Sequence, residues 1–117
     1  MEPAQILPGN GEYKLVVNGK VKAREIKVTV TGYGDYIFSP AYRLRPLSEV
    51  DAFIKQNGHL PEVPSAAEVA KEGMNVGEME NTLLKKVEEL TLYVIELKKE
   101  NDQQARQIEQ LQSRKKK

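Results

Sequence analysis

Along the carboxy-terminal third of the chain, Leu83, Val87, Leu90, Val94, Leu97, Ile108 and Leu111 recur in alternating steps of four and three, interrupted only by Asn101 and Gln104, which hold the same two registers. With Val87 at heptad position a, these residues occupy a and d throughout. A 3.5-residue period under-winds a helix into a left-handed supercoil with a partner, so residues 76–117 are predicted to form one long helix that associates with other helices. The stripe is too narrow and too long for so short a chain to cover, and the expected cover is a second copy. Asn101 at a and Gln104 at d are adjacent polar layers, which fix register at a cost in stability. Between Leu83 and Leu97 the pattern widens: Leu84, Leu92, Tyr93 and Ile95 lie at e, f, g and b. A helix apolar nearly all round is enclosed on all sides, so the upper part is expected inside a collar and the part from Lys98 onward bare.

Upstream the pattern changes period. Residues 1–12, with Pro3, Pro8, Gly9, Asn10 and Gly11, read as a linker. Residues 13–45 read as β segments and an aromatic loop. Tyr13 to Val17 and Val21 to Val30 flank Asn18-Gly19, a tight-turn dipeptide, and from Ile26 onward apolar and polar residues alternate strictly. Two strands are too few to stand alone in water, so their apolar face also asks for neighbours. Thr31 to Arg45 holds Tyr33, Tyr36, Phe38 and Tyr42, which suit either a packed loop or a contact surface with tyrosine anchors.

Residues 46–75 read as a collar of short helices. Ser48 is the expected N-cap of the first, with Asp51 reaching back, Leu47 as a hydrophobic staple, and Asn57-Gly58 as its left-handed end. The run from His59 to Pro64 is expected to be extended, since each proline biases its predecessor out of the α region. Ser65-Ala66-Ala67-Glu68 is a capping box opening a second helix that stops at Gly73, and Asn75-Val76-Gly77-Glu78 caps the long helix likewise. The fold class that follows is α+β: amino-terminal β hairpin, helical collar, and a long helix in a parallel coiled coil. Val at a with Leu at d suits a dimer, whereas Gln104 at d and the broad apolar belt suit a thicker bundle.

Composition narrows the function classes. A formal net charge of +1 provides no global field for nucleic acid or membrane. Cysteine is absent, which removes disulfide, thiolate-metal and cysteine-nucleophile chemistry. No apolar run approaches the roughly 20 residues of a membrane span, and the first residues do not read as a signal peptide. His59, the single histidine, has no companions at metal-ligand spacing and is expected in a loop or packing role. Glu88, Glu89 and Glu96 occupy b and c positions, read as a solvated coil face rather than a catalytic carboxylate pair. Arg114 to Lys117 is a short basic end. No cofactor, no metal and no enzymatic activity are expected.

Glu12 to Gly19, Ala23 to Val28, Asp35 to Phe38 with Tyr42-Arg43-Leu44, Leu47 to Val50, His59-Leu60-Pro61-Glu62-Val63-Pro64-Ser65-Ala66, and Leu83 to Tyr93 with its Glu88-Glu89-Leu90-Thr91-Leu92-Tyr93 string together carry a resemblance. Over roughly residues 12 to 100 the chain resembles the carboxy-terminal module of tail-fibre-like proteins of Bacteroidota, their phages and phage-derived injection devices. The resemblance implies a homotrimeric end domain that aligns three chains, in a virion or phage-like tail fibre or at the cell surface as part of a longer chain; the heptad residues leave a dimer as the alternative. It implies a structural registration and folding-nucleus role, with host attachment through a surface receptor as the alternative; in that case Tyr33, Tyr36, Phe38 and Tyr42 would be the contact loop. More distantly, the chain is similar to the self-cleaving intramolecular chaperones that end phage tailspikes. Those open on a Ser-Asp pair and an Arg-Leu-Lys-like stretch. Here Pro40 follows Ser39, and Arg45 stands where lysine would, a side chain always charged and unable to serve as a base.

Overall fold

The computed structural model describes residues 5–8, 11–29 and 36–115. Two short strands, β1 (Gln5–Pro8) and β2 (Leu15–Asn18), precede a single 3-10 turn at Tyr36–Phe38, then helices α1 (Leu47–Asn57), α2 (Ala66–Glu72) and α3 (Val76–Lys115). Helix dominates, and α3 alone has 40 residues. At 1.5 Å rise per residue it is about 60 Å long, which accounts for most of the longest dimension in the overall extents of 81 × 33 × 29 Å.

The hairpin is present but built from other residues than the turn signal indicates. β1 and β2 pair antiparallel, with Ile6 opposite Val17 and Leu7 opposite Val16. β1 thus lies within the stretch read as a linker. The chain reverses upstream of β2, through a segment in which Gly11 takes a φ of +63°. Asn18-Gly19 ends β2, and residues 20–29 form no strand and make no backbone hydrogen bond to another described residue. A local turn dipeptide lost here to pairing with the Gln5-Ile6-Leu7-Pro8 segment. Proline is tolerated there because the end of an edge strand needs no N–H from it. Val30, Tyr33 and the loop around them lie outside the described residues, as does the side chain of Tyr36.

Helix α1 starts one residue before the expected cap. The Pro46 carbonyl accepts the N–H groups of Glu49 at 3.0 Å and Val50 at 3.3 Å, so Pro46 stands at the N-cap without any side-chain bond, and Ser48 lies inside the first turn. Asp51 instead pairs with Lys55 at 3.0 Å, one turn on. At the other end Gly58 adopts a φ of +75° and donates to the Ile54 carbonyl at 2.7 Å, a left-handed stop that favours glycine. The α2 cap follows the capping-box spacing: the Glu68 N–H donates to Ser65 Oγ at 3.2 Å, and the serine hydroxyl donates back to Glu68 Oε1 at 3.1 Å. At the head of α3, Asn75 Nδ2 donates to Glu78 Oε2 at 3.2 Å.

Between α1 and α2 the proline-flanked segment turns rather than running extended. The Val63 N–H donates to the Leu60 carbonyl at 3.2 Å, with Pro61 and Glu62 between them and Glu62 at a φ of +69°. Proline at the second position and a positive φ at the third describe a type II turn, in which glycine is the usual third residue. His59 packs edge-on against Phe53, with ring centroids 5.5 Å apart, and its Nδ1–H donates to the Leu60 carbonyl at 2.9 Å.

The interior is small. Ile37, carried by the 3-10 turn that packs on α3, is 1% exposed and is the sole buried large apolar side chain among the described residues. Pro61 and Gly77 are buried with it. A core this slight cannot by itself hold a 40-residue helix in place, because most helical stability comes from packing an apolar face.

Candidate oligomer interface

Seven apolar positions of the α3 stripe are open to solvent. Leu83, Val87, Leu90, Val94, Leu97, Ile108 and Leu111 are each between 52% and 60% exposed. Asn101 and Gln104, in the same stripe, are exposed too. Other faces of the same turns are covered by the chain itself: Leu84, Lys85, Lys86, Leu92 and Tyr93 are half-buried and Glu88 and Glu89 buried. The 3-10 turn, the loop before α1 and the turn at Glu62 therefore pack on the back of the upper helix and leave the a and d seam bare. Burying the open half of each seam side chain is worth roughly 1 kcal/mol, and residues 98–115 are exposed throughout.

Glu88 and Glu89 correct the reading of a solvated face, being 7% and 8% exposed. The b and c positions point away from the seam, and here that direction is occupied by the loop before α1. Tyr42 donates its hydroxyl to Glu89 Oε2 at 2.5 Å, and Lys86 donates to Glu89 Oε1 at 3.0 Å. Oε2 of Glu88 is buried with no hydrogen-bond partner among the described residues. Lower on the helix Glu96 is exposed.

Three further ties hold the segments on either side of α1 to the long helix. The Tyr93 hydroxyl donates to the Arg45 carbonyl at 2.5 Å. Burial, reinforced by the nearby negative charge of Glu89, pushes the Tyr93 hydroxyl pKa up and keeps it a neutral donor. Lys85 and Lys86 both reach the Glu62 carboxylate at the turn, Lys86 at 3.3 Å. Burial alone would raise the Glu62 carboxyl pKa, but hydrogen bonds from and charge on the two lysines outweigh it and hold the group below its usual value. Sequence reasoning missed these ties because the partners are far apart in the chain.

Of the proposed contact loop, Phe38 is exposed, whereas Tyr42 is half-buried and turned onto Glu89. Ser39 takes part in a tight turn: its Oγ accepts the Ala41 N–H at 3.3 Å and its carbonyl accepts the Tyr42 N–H at 3.0 Å. Among the described residues no cluster of His, Cys, Asp or Glu is placed to hold a metal, and no helix is long and apolar enough to cross a membrane.

One cleft of about 490 Å³ opens beside the seam. Leu47, Val50, Leu60 and Pro61 of the collar form one wall, and Leu83, Val87, Leu90 and Tyr93 of α3 the other. Lys86 and Glu89, which also line it, are already paired with each other. The cleft is thus continuous with the exposed stripe rather than a separate polar site. No family model, curated protein or solved structure matches this chain.

Proposed function

We propose that the chain is a non-enzymatic trimerisation module ending a tail-fibre-like or surface fibre protein, and that its work is to bring identical chains into register. The observation that carries this reading is the bare a and d seam of α3, open from Leu83 to Leu111 while the opposite face of its upper turns is covered by the 3-10 turn and the loop before α1. Asn101 and Gln104 supply polar layers that pair best with their own copies in a parallel, in-register bundle. Gln104 at d, and the resemblance of the sequence to trimeric end domains, favour three strands over two.

The amino-terminal half supports the same reading. A two-stranded ribbon is marginal alone, both of its edges can accept further strands, and residues 20–29 form no strand with any described residue while Val21, Ile26 and Val28 are exposed. Helical contacts are local and form quickly, whereas pairing between distant or separate strands is slow. Stalks that associate first would hold these segments of neighbouring chains together until they pair. Fusion of the chain to the carboxy terminus of a monomeric carrier tests the role directly. The carrier should become trimeric, and a carrier that stays monomeric with α3 folded would refute it. A receptor-contact role has Phe38 as its one exposed aromatic side chain among the described residues of the loop.

A further inference from the structure

The two flanks of α3 are unequal at one height. On the flank formed by positions d, g and c, the collar stands off the helix and leaves the apolar cleft between Leu47, Val50 and Leu60 on one side and Leu83, Leu90 and Tyr93 on the other. On the flank formed by e and b, the collar does not reach the lower turns: Thr91 at e is exposed and Ile95 at b is 45% exposed. Ile95 thus departs from the expectation that the chain's own collar encloses it.

In a parallel bundle the g side of each helix faces the e side of the next. The bond from Tyr93 to the Arg45 carbonyl fixes where the collar meets the helix, two residues before α1 begins at Leu47. A copy in register therefore presents Thr91 at the height of the cleft's lower end and Ile95 just past Tyr93, the last residue of α3 that lines it. Resting on the proposed oligomer, we propose that the cleft receives the Thr91 to Ile95 flank of the neighbouring copy, so that each collar grips the next chain's stalk as well as its own. Every chain then gives one such contact and receives one, an arrangement that closes into a ring by rotation. The occupant is a second copy because the cleft shares Leu83, Val87 and Leu90 with the seam, so whatever covers the seam also roofs the cleft. The apolar side chain missing from the cleft is the one left bare on the opposite flank. The collar then folds fully only in the assembly, and the bundle acquires a handed order around its axis that the seam alone does not impose.

The chain has no cysteine, which makes disulfide trapping clean. A tagged Leu47→Cys chain and an untagged Ile95→Cys chain, co-expressed and mildly oxidised, should yield a covalent pair containing one of each. Either variant alone should yield none. Sedimentation of the same samples separates the two levels of the proposal. An oligomer without the mixed disulfide overturns the cleft contact and spares the oligomer, and a folded monomer overturns both. Leu60→Cys with Thr91→Cys is the second pair should either first substitution prevent folding, and absence of its mixed disulfide in a folded oligomer has the same meaning.

Discussion

The Tyr42 hydroxyl donates to Glu89 Oε2 at 2.5 Å, joining residues 47 positions apart and fastening the loop before α1 to the covered face of α3. Because Glu89 is largely buried, removing the donor leaves a carboxylate oxygen short of a partner where little water can replace it. Tyr42→Phe should therefore destabilise the chain by about 1.5–3 kcal/mol, the range for a hydrogen bond to a charged group. Urea unfolding followed by circular dichroism measures it. A loss below about 0.5 kcal/mol would mean that Tyr42 does not hold the collar.

Glu62 sits at a φ of +69° where glycine would be unstrained, while its carboxylate is held by Lys85 and Lys86. Glu62→Ala loses the ion pairs and keeps the strain. Glu62→Gly loses the same pairs and relieves it. The left-handed conformation costs a side chain roughly 1–2 kcal/mol, partly offset by the greater freedom of glycine in the unfolded chain. The glycine variant should thus be the more stable of the two by about 0.5–1 kcal/mol, and the reverse order would contradict the turn.

The lowered pKa of Glu62 fixes a direction with pH. A carboxyl that ionises more readily in the folded state adds stability above its unfolded value near 4.5, and that contribution is lost as the pH falls through the lowered folded value. The group is partly exposed, so solvent screens its pairs and the effect is small. Thermal midpoints measured between about pH 7 and about pH 3 should fall less for Glu62→Gln than for the native chain over that window. Parallel curves would show that the clasp carries no pH dependence.

Those local facts mark what the sequence makes legible. The extent of α3 and its stripe are written in a period of 3.5, and the cap of α2 in the spacing of Ser65 and Glu68, because both depend on neighbours a turn or less away. The pairing of β1 with β2 is not written that way: Asn18-Gly19 is a strong local turn signal, and only the non-local partner Ile6-Leu7 overrules it. The burial of Glu88 and Glu89 is hidden for the same reason. A heptad letter says which way a side chain faces relative to the seam, and cannot say that Tyr42 will cover that side. The turn at Glu62 depends on two lysines of α3 that hold a strained residue where the proline pattern alone suggests an extended chain. Of the interface, sequence shows the stripe, whereas the collar cleft beside it requires the structure.

Asn101 and Gln104 should act on alignment rather than on strength. Replacing them together by Val and Leu puts apolar side chains at a and d, which raises the melting temperature while removing the layers that fix register. The doubly substituted chain should melt higher and show a mixture of masses or of strand orientations. A single native-like mass with a lower melting temperature would contradict the role given to these layers.

Leu83, Val87, Leu90, Val94 and Leu97 leave a seam open that only further copies would cover, and sedimentation equilibrium of the unmodified chain at micromolar concentration tests this without any substitution. The mass expected is that of three copies of the 13.2 kDa chain, with helix content unchanged across the concentration range. A folded species of 13.2 kDa that retains α3 would contradict it.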